Sequence, residues 1–410
     1  MLNQFENYGR NRAVAFSIVI MLFGLFFSRG FLSGSMMFFL AFTLVHPNIG
    51  NQFRTFISNR FLISITLLFM IPLVSGLWSS NTKEWGEIIR IKLPLLFFPL
   101  AFAGDWQLKR KHWEYLAFIF LGLMTVAVGW SLLQYLSDIE GFNEAYLRSK
   151  TIITPLQDDH VRFSWLCSFS VMLCVMMLTI QDKFRGILYI LAAVFTIYLH
   201  ILSARMGLFS LYIFLGLYAV WLLVKQRNTK LFIAIISGLI LLPLLSWFTF
   251  PTFRNRIQYF LYDLSLVKNE PFVTGSNDGV RIQSLKAGWE LVKENPLGVG
   301  AGDLKPEILK WYELHVPAMG SGEKFLPCSE WLIYGGFAGW IGIILLTIIM
   351  AIPFFIKNIS NRFFWIALHA IMAFSFAMDM TIEAQFGVFI YVFIVLWFWK
   401  WFQIKLPNEQ

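Results

Sequence analysis

Apolar runs alternate with short polar, mostly basic segments along most of the chain. A membrane-spanning helix needs roughly 20 mostly apolar residues, because the hydrocarbon layer is about 30 Å thick and a helix rises about 1.5 Å per residue. Runs of this kind fall at 13–28, 31–46, 60–78, 91–104, 115–136, 162–180, 184–202, 206–224, 231–250, 331–356, 363–379 and 385–402, and they predict about twelve spans. The run at 91–104 is short and holds Pro94 and Pro99, so it reaches span length only if its helix begins near Trp85. The stretch 13–46 also reads as a re-entrant pair, which moves the count by one.

Two polar segments, 138–161 and 251–330, are too long to be simple connectors. The second reads as partly helical: Ile282, Leu285, Trp289 and Val292 recur at helical spacing, with Asp278-Gly279 as a start and Asn295-Pro296 as a stop. A glycine-rich turn, Gly298 to Gly302, follows, and Asp303 is placed to cap a second short helix through about Leu314. The expected organisation is all-α: spans one to nine in 1–250, a large loop in 251–330, and spans ten to twelve in 331–410.

Charge orients this frame, since cytoplasmic segments carry the excess of Lys and Arg. With the N-terminus inside, the inner segments hold sixteen, from Arg10 to Lys405, at least two in each, while the short outer segments hold eight. Both termini are expected to be cytoplasmic and the long loop external. Composition agrees: 58% of residues are hydrophobic and only 14% charged, against about 25% charged in a soluble domain. The net charge of +9 comes from clusters between apolar runs. No basic stripe is interleaved with aromatics, so nucleic acid is not an expected partner. Cys167 and Cys174 lie in one apolar run and Cys328 stands alone, so no disulfide is expected. Arg10 and Arg12 precede the first run without a small-residue cleavage site, which reads as a retained span. No His, Cys and carboxylate set has metal spacing.

Three features carry candidate chemistry. The turn Ser203-Ala204-Arg205 sets an arginine where water meets lipid; it is either a snorkelling side chain or a fixed, bidentate ligand for phosphate. Arg281, Trp289 and Pro296-Leu297-Gly298-Val299-Gly300-Ala301-Gly302 come next. By itself the glycine turn is a tight connector, and no Walker lysine follows it. Last, Cys328-Ser329-Glu330 precedes Gly339 and Gly342, which alone reads as a loop end feeding a packing helix. Arg162 follows Asp158-Asp159-His160 at the mouth of the sixth span, and Arg90 and Lys92 open the fourth. Asp379 and Glu383, four apart, are expected to share one helix face at the outer end of the eleventh span.

Taken together, these motifs resemble the O-antigen ligase and polymerase family of bacterial envelopes. Its members look like twelve-span proteins with a large periplasmic loop between spans nine and ten, a Ser-Arg-Gly-like turn after span seven, and an Arg…Trp…Pro-Leu-Gly-x-Gly-x-Gly segment in the loop. At the loop's end they carry His-Asn/Ser, nine residues, then Gly-x-x-Gly; Ser329, Gly339 and Gly342 match that spacing, and Cys328 stands where the family has His. The resemblance implies a glycosyltransferase of the bacterial inner membrane, with its active site in the periplasm. The implied donor is a glycan on undecaprenyl diphosphate, and the acceptor is a hydroxyl of lipid A-core or of another lipid-linked glycan, drawn from the membrane. Transfer would be inverting, with no metal and no cofactor. Arg205, Arg281 and Cys328 become the catalytic candidates, and Arg162, Arg90, Glu330 and His315 the substrate-binding ones. Either Cys328 itself or a neighbour, Glu330 or His315, could replace the missing His as base. Polymerase and protein-glycosylating ligase remain open beside ligase. A secondary transporter fits less well, because its halves usually repeat around a central loop and here the long loop follows span nine. An inactive envelope protein stays open because of Cys328.

Overall fold

The computed structural model describes residues 2–269 and 276–404, so Lys405 and residues 270–275 of the long loop lie outside the described residues. Among the described residues every regular element is helical. In chain order these are α1 (Leu2–Phe27), α2 (Arg29–Leu44), α3 (Ile49–Ser58), α4 (Arg60–Ser75), α5 (Thr82–Lys92), α6 (Pro94–Phe102), α7 (Arg110–Ser137), α8 (Ile139–Tyr146) and α9 (His160–Ile180). There follow α10 (Arg185–Leu202), α11 (Arg205–Val224), α12 (Thr229–Thr249), α13 (Pro251–Asn269), α14 (Asn277–Glu294), α15 (Leu304–His315), α16 (Glu330–Phe355), α17 (Arg362–Met378) and α18 (Gln385–Phe402).

Nine of the described helices are long and apolar enough to cross a membrane: α1, α4, α7, α9 to α12, α16 and α18. The chain is an all-α polytopic membrane protein. The other three apolar runs are also helical, but shorter or broken. α2 turns into α3 through 102°, and α17 falls just below span length. The run at 91–104 is divided at Leu93 between α5 and α6, where Pro94 supplies no N–H to continue the ladder of α5. As the sequence requires, its helical stretch does begin ahead of Trp85, though in two pieces.

Local chemistry sets the helix starts. Asn59 accepts hydrogen bonds from the N–H groups of Phe61 and Leu62, Asp159 from Arg162, and Ser276 from Gly279, each supplying a partner that the first helical turn lacks. At the centre stands α18, with every residue from Phe386 to Trp399 buried. Its rings stack along one side, Phe389 on Phe393 at 5.1 Å and Trp397 on Trp401 at 6.3 Å. By contrast, α12 buries only Ser246 and belongs at the lipid boundary. The segment 251–330 is mostly helical, with α13 a helix that periodicity had not indicated. α7 and α18 place its face of the bundle: α7 ends and α18 begins there, so the start of α7 and the end of α18 lie on the opposite face.

Candidate active site

The glycine turn is a clasp between three helices. Gly298 and Gly300 hold φ of +79° and +91°, a region that side-chain-bearing residues rarely adopt. Val299 N–H donates to the carbonyl of Gly336 at 2.8 Å, and Trp340 N–H to that of Pro296 at 3.0 Å. Ala301 and Gly302 donate to the hydroxyls of Ser75 and Ser79. With Gly298 N–H donating to the Asn295 carbonyl, four of the turn's amides are spent on the protein, and the turn is no anion cradle. α16 breaks at Ala338–Gly339 to receive it, and a Cβ on Gly339 would stand 1.8 Å from the Pro296 oxygen. Asp303 begins α15 as expected but caps nothing; its carboxylate accepts from the N–H groups of Ser80 at 2.6 Å and Asn81 at 2.9 Å. The clasp thus fixes α14 against the helical bundle.

On that fixed face α14 meets the turn after α10. Ser203 takes left-handed φ of +51°, and the turn is tied down where Tyr146 and Thr252 donate to the carbonyls of Leu202 and Ile201. Arg205 then opens α11 and forms an ion pair with Asp278, with its guanidinium 5.2 Å from the Phe260 ring centre. Arg256 on α13 is buried beside it, donating to the Ser149 hydroxyl at 3.4 Å and facing the Tyr146 ring. Burial, and then the neighbouring Arg205, pull its pKa below the ordinary value. Arg162 is committed more fully. It donates to Asp159 at 2.6 Å and to the carbonyls of Met380 and Thr381, so it straps the loop after α17 to α9.

Arg281 differs from both. It follows Asp278 by three residues and so shares its face of α14. It is half-buried, and among the described residues no acceptor bonds its guanidinium. Cys328 and Asp379 both lie within its electrostatic reach. The arginines thus divide into a strap, a paired cation and an uncommitted one.

Residues 188–347 match the family model described as O-antigen ligase. That segment is similar to the O-antigen ligase family. It contains Arg205, Arg281, the glycine clasp, Cys328 and the break at Gly339. No curated protein matches the chain. Arg162 and Asp379 lie outside the matched segment, so the neighbourhood of Arg281 is completed by α9 and by the loop after α17.

Within this neighbourhood Cys328 is half-buried, and its N–H donates to the Ser284 hydroxyl at 3.2 Å. Burial pushes the thiol up, Asp379 adds to this, and the hydrogen bond with Ser284 and the charge of Arg281 only partly offset it. Arg281 therefore does not activate the thiol. Asp379, which closes α17, is also raised, chiefly by burial and against the pull of Arg162 and Arg281. A carboxylate moved toward neutrality is the better proton acceptor of the two.

The structure disposes of the remaining candidates separately. α17 ends at Met378, so Asp379 and Glu383 lie on a loop and not on one helix face. Asp379 faces the arginines, and Glu383 pairs with fully buried Lys92 at 2.5 Å. Glu330 is fully buried and accepts from Ile382 N–H at 2.7 Å, while Lys92 donates to the Ile382 carbonyl. Glu330 and Lys92 therefore anchor the loop that carries Asp379. Arg90 is exposed, so of the pair opening the fourth run it is Lys92 that enters the protein. His315 is exposed, stacks on Trp311 at 4.6 Å and bonds its own helix; no contact brings it to Cys328. Sequence reasoning passed over Arg256 on α13 and, on the same helix, Asp263, which accepts from the N–H of Asp278 at 2.7 Å. Charged residues soon after a span were the available signal.

Proposed function

We propose that this chain transfers a glycan from undecaprenyl diphosphate to a hydroxyl of lipid A-core, on the periplasmic side of the inner membrane, with inversion and without a metal. The observation that carries this is Arg281: a half-buried guanidinium with no bonded counter-ion among the described residues, between Cys328 and Asp379 and one turn from the Arg205–Asp278 pair. Diphosphate is already a good leaving group, so the protein's main task is to stabilise departing negative charge, which fixed cations do best away from bulk water. Arg281 binds the phosphate adjoining the sugar, and Arg205, eased from Asp278, shares the charge. Asp379 takes the proton of the acceptor hydroxyl. The acceptor oxygen bonds to the anomeric carbon as the bond from that carbon to phosphate oxygen breaks, and undecaprenyl diphosphate leaves on the arginines. Cys328 lines the site and is not its base.

Deletion of the gene followed by inspection of surface lipopolysaccharide tests this reading. Uncapped core with normal polymer length among the lipid-linked intermediates supports a ligase. Single repeats on the core would assign the chain to polymerisation, and unchanged lipopolysaccharide would overturn the proposal.

A further inference from the structure

The face opposite the arginines holds a polar cavity of about 360 Å³ between α3, the end of α6 and the end of α18. Its wall follows from the two-sided sequence of α3. Ile49, Phe53 and Ile57 recur every four residues and are exposed, forming one apolar stripe, while Asn48, Asn51 and Asn59 line the cavity on the other side. Bent through 102° from α2, such a helix lies in the plane of the membrane surface with its apolar stripe in lipid.

The cavity's floor is the end of α6. The Leu100 carbonyl takes Gln52 Nε2 at 2.7 Å, and the carbonyls of Phe102 and Gly104 take the Lys400 ammonium at 3.1 and 2.7 Å. Lys400 has three donors, so one is left, and it lines the cavity. Arg10 and Asp105 pair at 2.7 Å, which leaves the group with a single surplus positive charge. Around it the side chains of Asn48, Asn51, Gln107 and Gln403 make no hydrogen bond to any described residue. Each carboxamide offers both a donor and an acceptor, the combination that hydroxyl groups need.

We propose that this cavity binds a singly anionic, hydroxyl-bearing phosphodiester, of which a phosphatidylglycerol head group is the membrane source. Lys400 takes the phosphate oxygen, the carboxamides take the glycerol hydroxyls, and the acyl chains lie beside the apolar stripe of α3. An uncharged sugar leaves the charge of Lys400 unmatched, and a dianionic phosphate exceeds it. The site is independent of the transfer chemistry on the other face.

Full-length protein, purified in detergent and stripped of lipid, can be melted by tryptophan fluorescence against short-chain phosphatidylglycerol, phosphatidylcholine, and soluble glycerophosphoglycerol. Phosphatidylglycerol should raise the midpoint saturably, and phosphatidylcholine should not. In Asn51→Ala and Gln403→Ala, whose exposed side chains make no hydrogen bond to any described residue, the half-saturating concentration should rise at least tenfold with the ligand-free midpoint unchanged. An equal response to glycerophosphoglycerol would make the soluble diester a ligand in its own right; no response to it would make the site a lipid site. Equal shifts with both lipids, no saturable shift, or parental titration of both variants would overturn the proposal.

Discussion

Replacing Arg281 with alanine removes a guanidinium that no described residue bonds. Among the described residues the folded state loses no ion pair and no hydrogen bond, only the longer-range pull on Asp379, so stability should change by no more than about 1 kcal/mol. The transition state loses more. A hydrogen bond to a charged group contributes about 1.5–3 kcal/mol, and a bidentate phosphate contact makes two, so about 3 kcal/mol or somewhat more should be lost. That corresponds to a roughly 10²-fold fall in rate. Arg281→Lys restores the charge without the planar fork and should recover only part of it. Arg162→Ala is the control with the opposite profile: it breaks the bonds to Asp159, Met380 and Thr381 and should lower the melting midpoint along with activity. The assay is transfer from purified lipid-linked glycan by protein in nanodiscs, with melting recorded on the same samples. Parental transfer by Arg281→Ala, or a drop in its midpoint as large as that of Arg162→Ala, would refute the assignment.

Asp379→Asn should cut transfer by roughly 10²–10⁴-fold, the range for a lost general base, without lowering the melting midpoint. A carboxyl raised by burial stabilises the fold below its unfolded pKa of about 3.9 and loses that contribution as pH rises through the folded value; at neutral pH asparagine removes a charge that costs stability. The same sign predicts that parental transfer rises with pH through the raised value, and a flat profile would count against Asp379. Cys328→Ala should retain transfer within about tenfold, since a raised thiol is protonated at neutral pH; a loss as deep as that of Asp379→Asn would return the base to Cys328. Gly339→Ala combines about 1–2 kcal/mol of left-handed strain with the clash on Pro296, and at about 1 kcal/mol for each clasp bond lost should destabilise by about 3 kcal/mol, read from the midpoint. Tyr262→Cys on exposed α13 should react with an impermeant maleimide from outside intact cells; a need for permeabilisation would invert the orientation and remove the periplasmic site.

What could be read from the sequence was local. α14 starts at Asn277 and ends at Glu294 much as Asp278-Gly279 and Asn295-Pro296 indicated, because caps and breakers act within a few residues. The apolar runs all appear as helices for the same reason. Asp303 was misjudged because its partners, Ser80 and Asn81, lie more than two hundred positions away. Nothing local distinguishes Arg90 from Lys92; the packing of α5 decides which one is buried. Periodicity likewise carried Asp379 and Glu383 onto a helix that stops at Met378, and so hid the different partners of the two carboxylates. The motif arginines were legible as a set, while their division into strap, pair and free ligand depends on contacts between helices.

The burial of α18 has a consequence for how the protein is made. Its side chains are enclosed along nearly the whole helix, so its contacts exist only after the surrounding helices have inserted, and α18 follows all of them in the chain. Once α14 and α16 have been made, Arg281 and Cys328 are present, yet the loop that carries Asp379 and bonds Glu330 and Lys92 follows both in the chain. On the proposed assignment, the nascent chain lacks its base until that loop has docked. Stalled or prematurely terminated products would carry the arginines but no organised centre, and would expose an empty helical seat in the membrane to quality-control proteases.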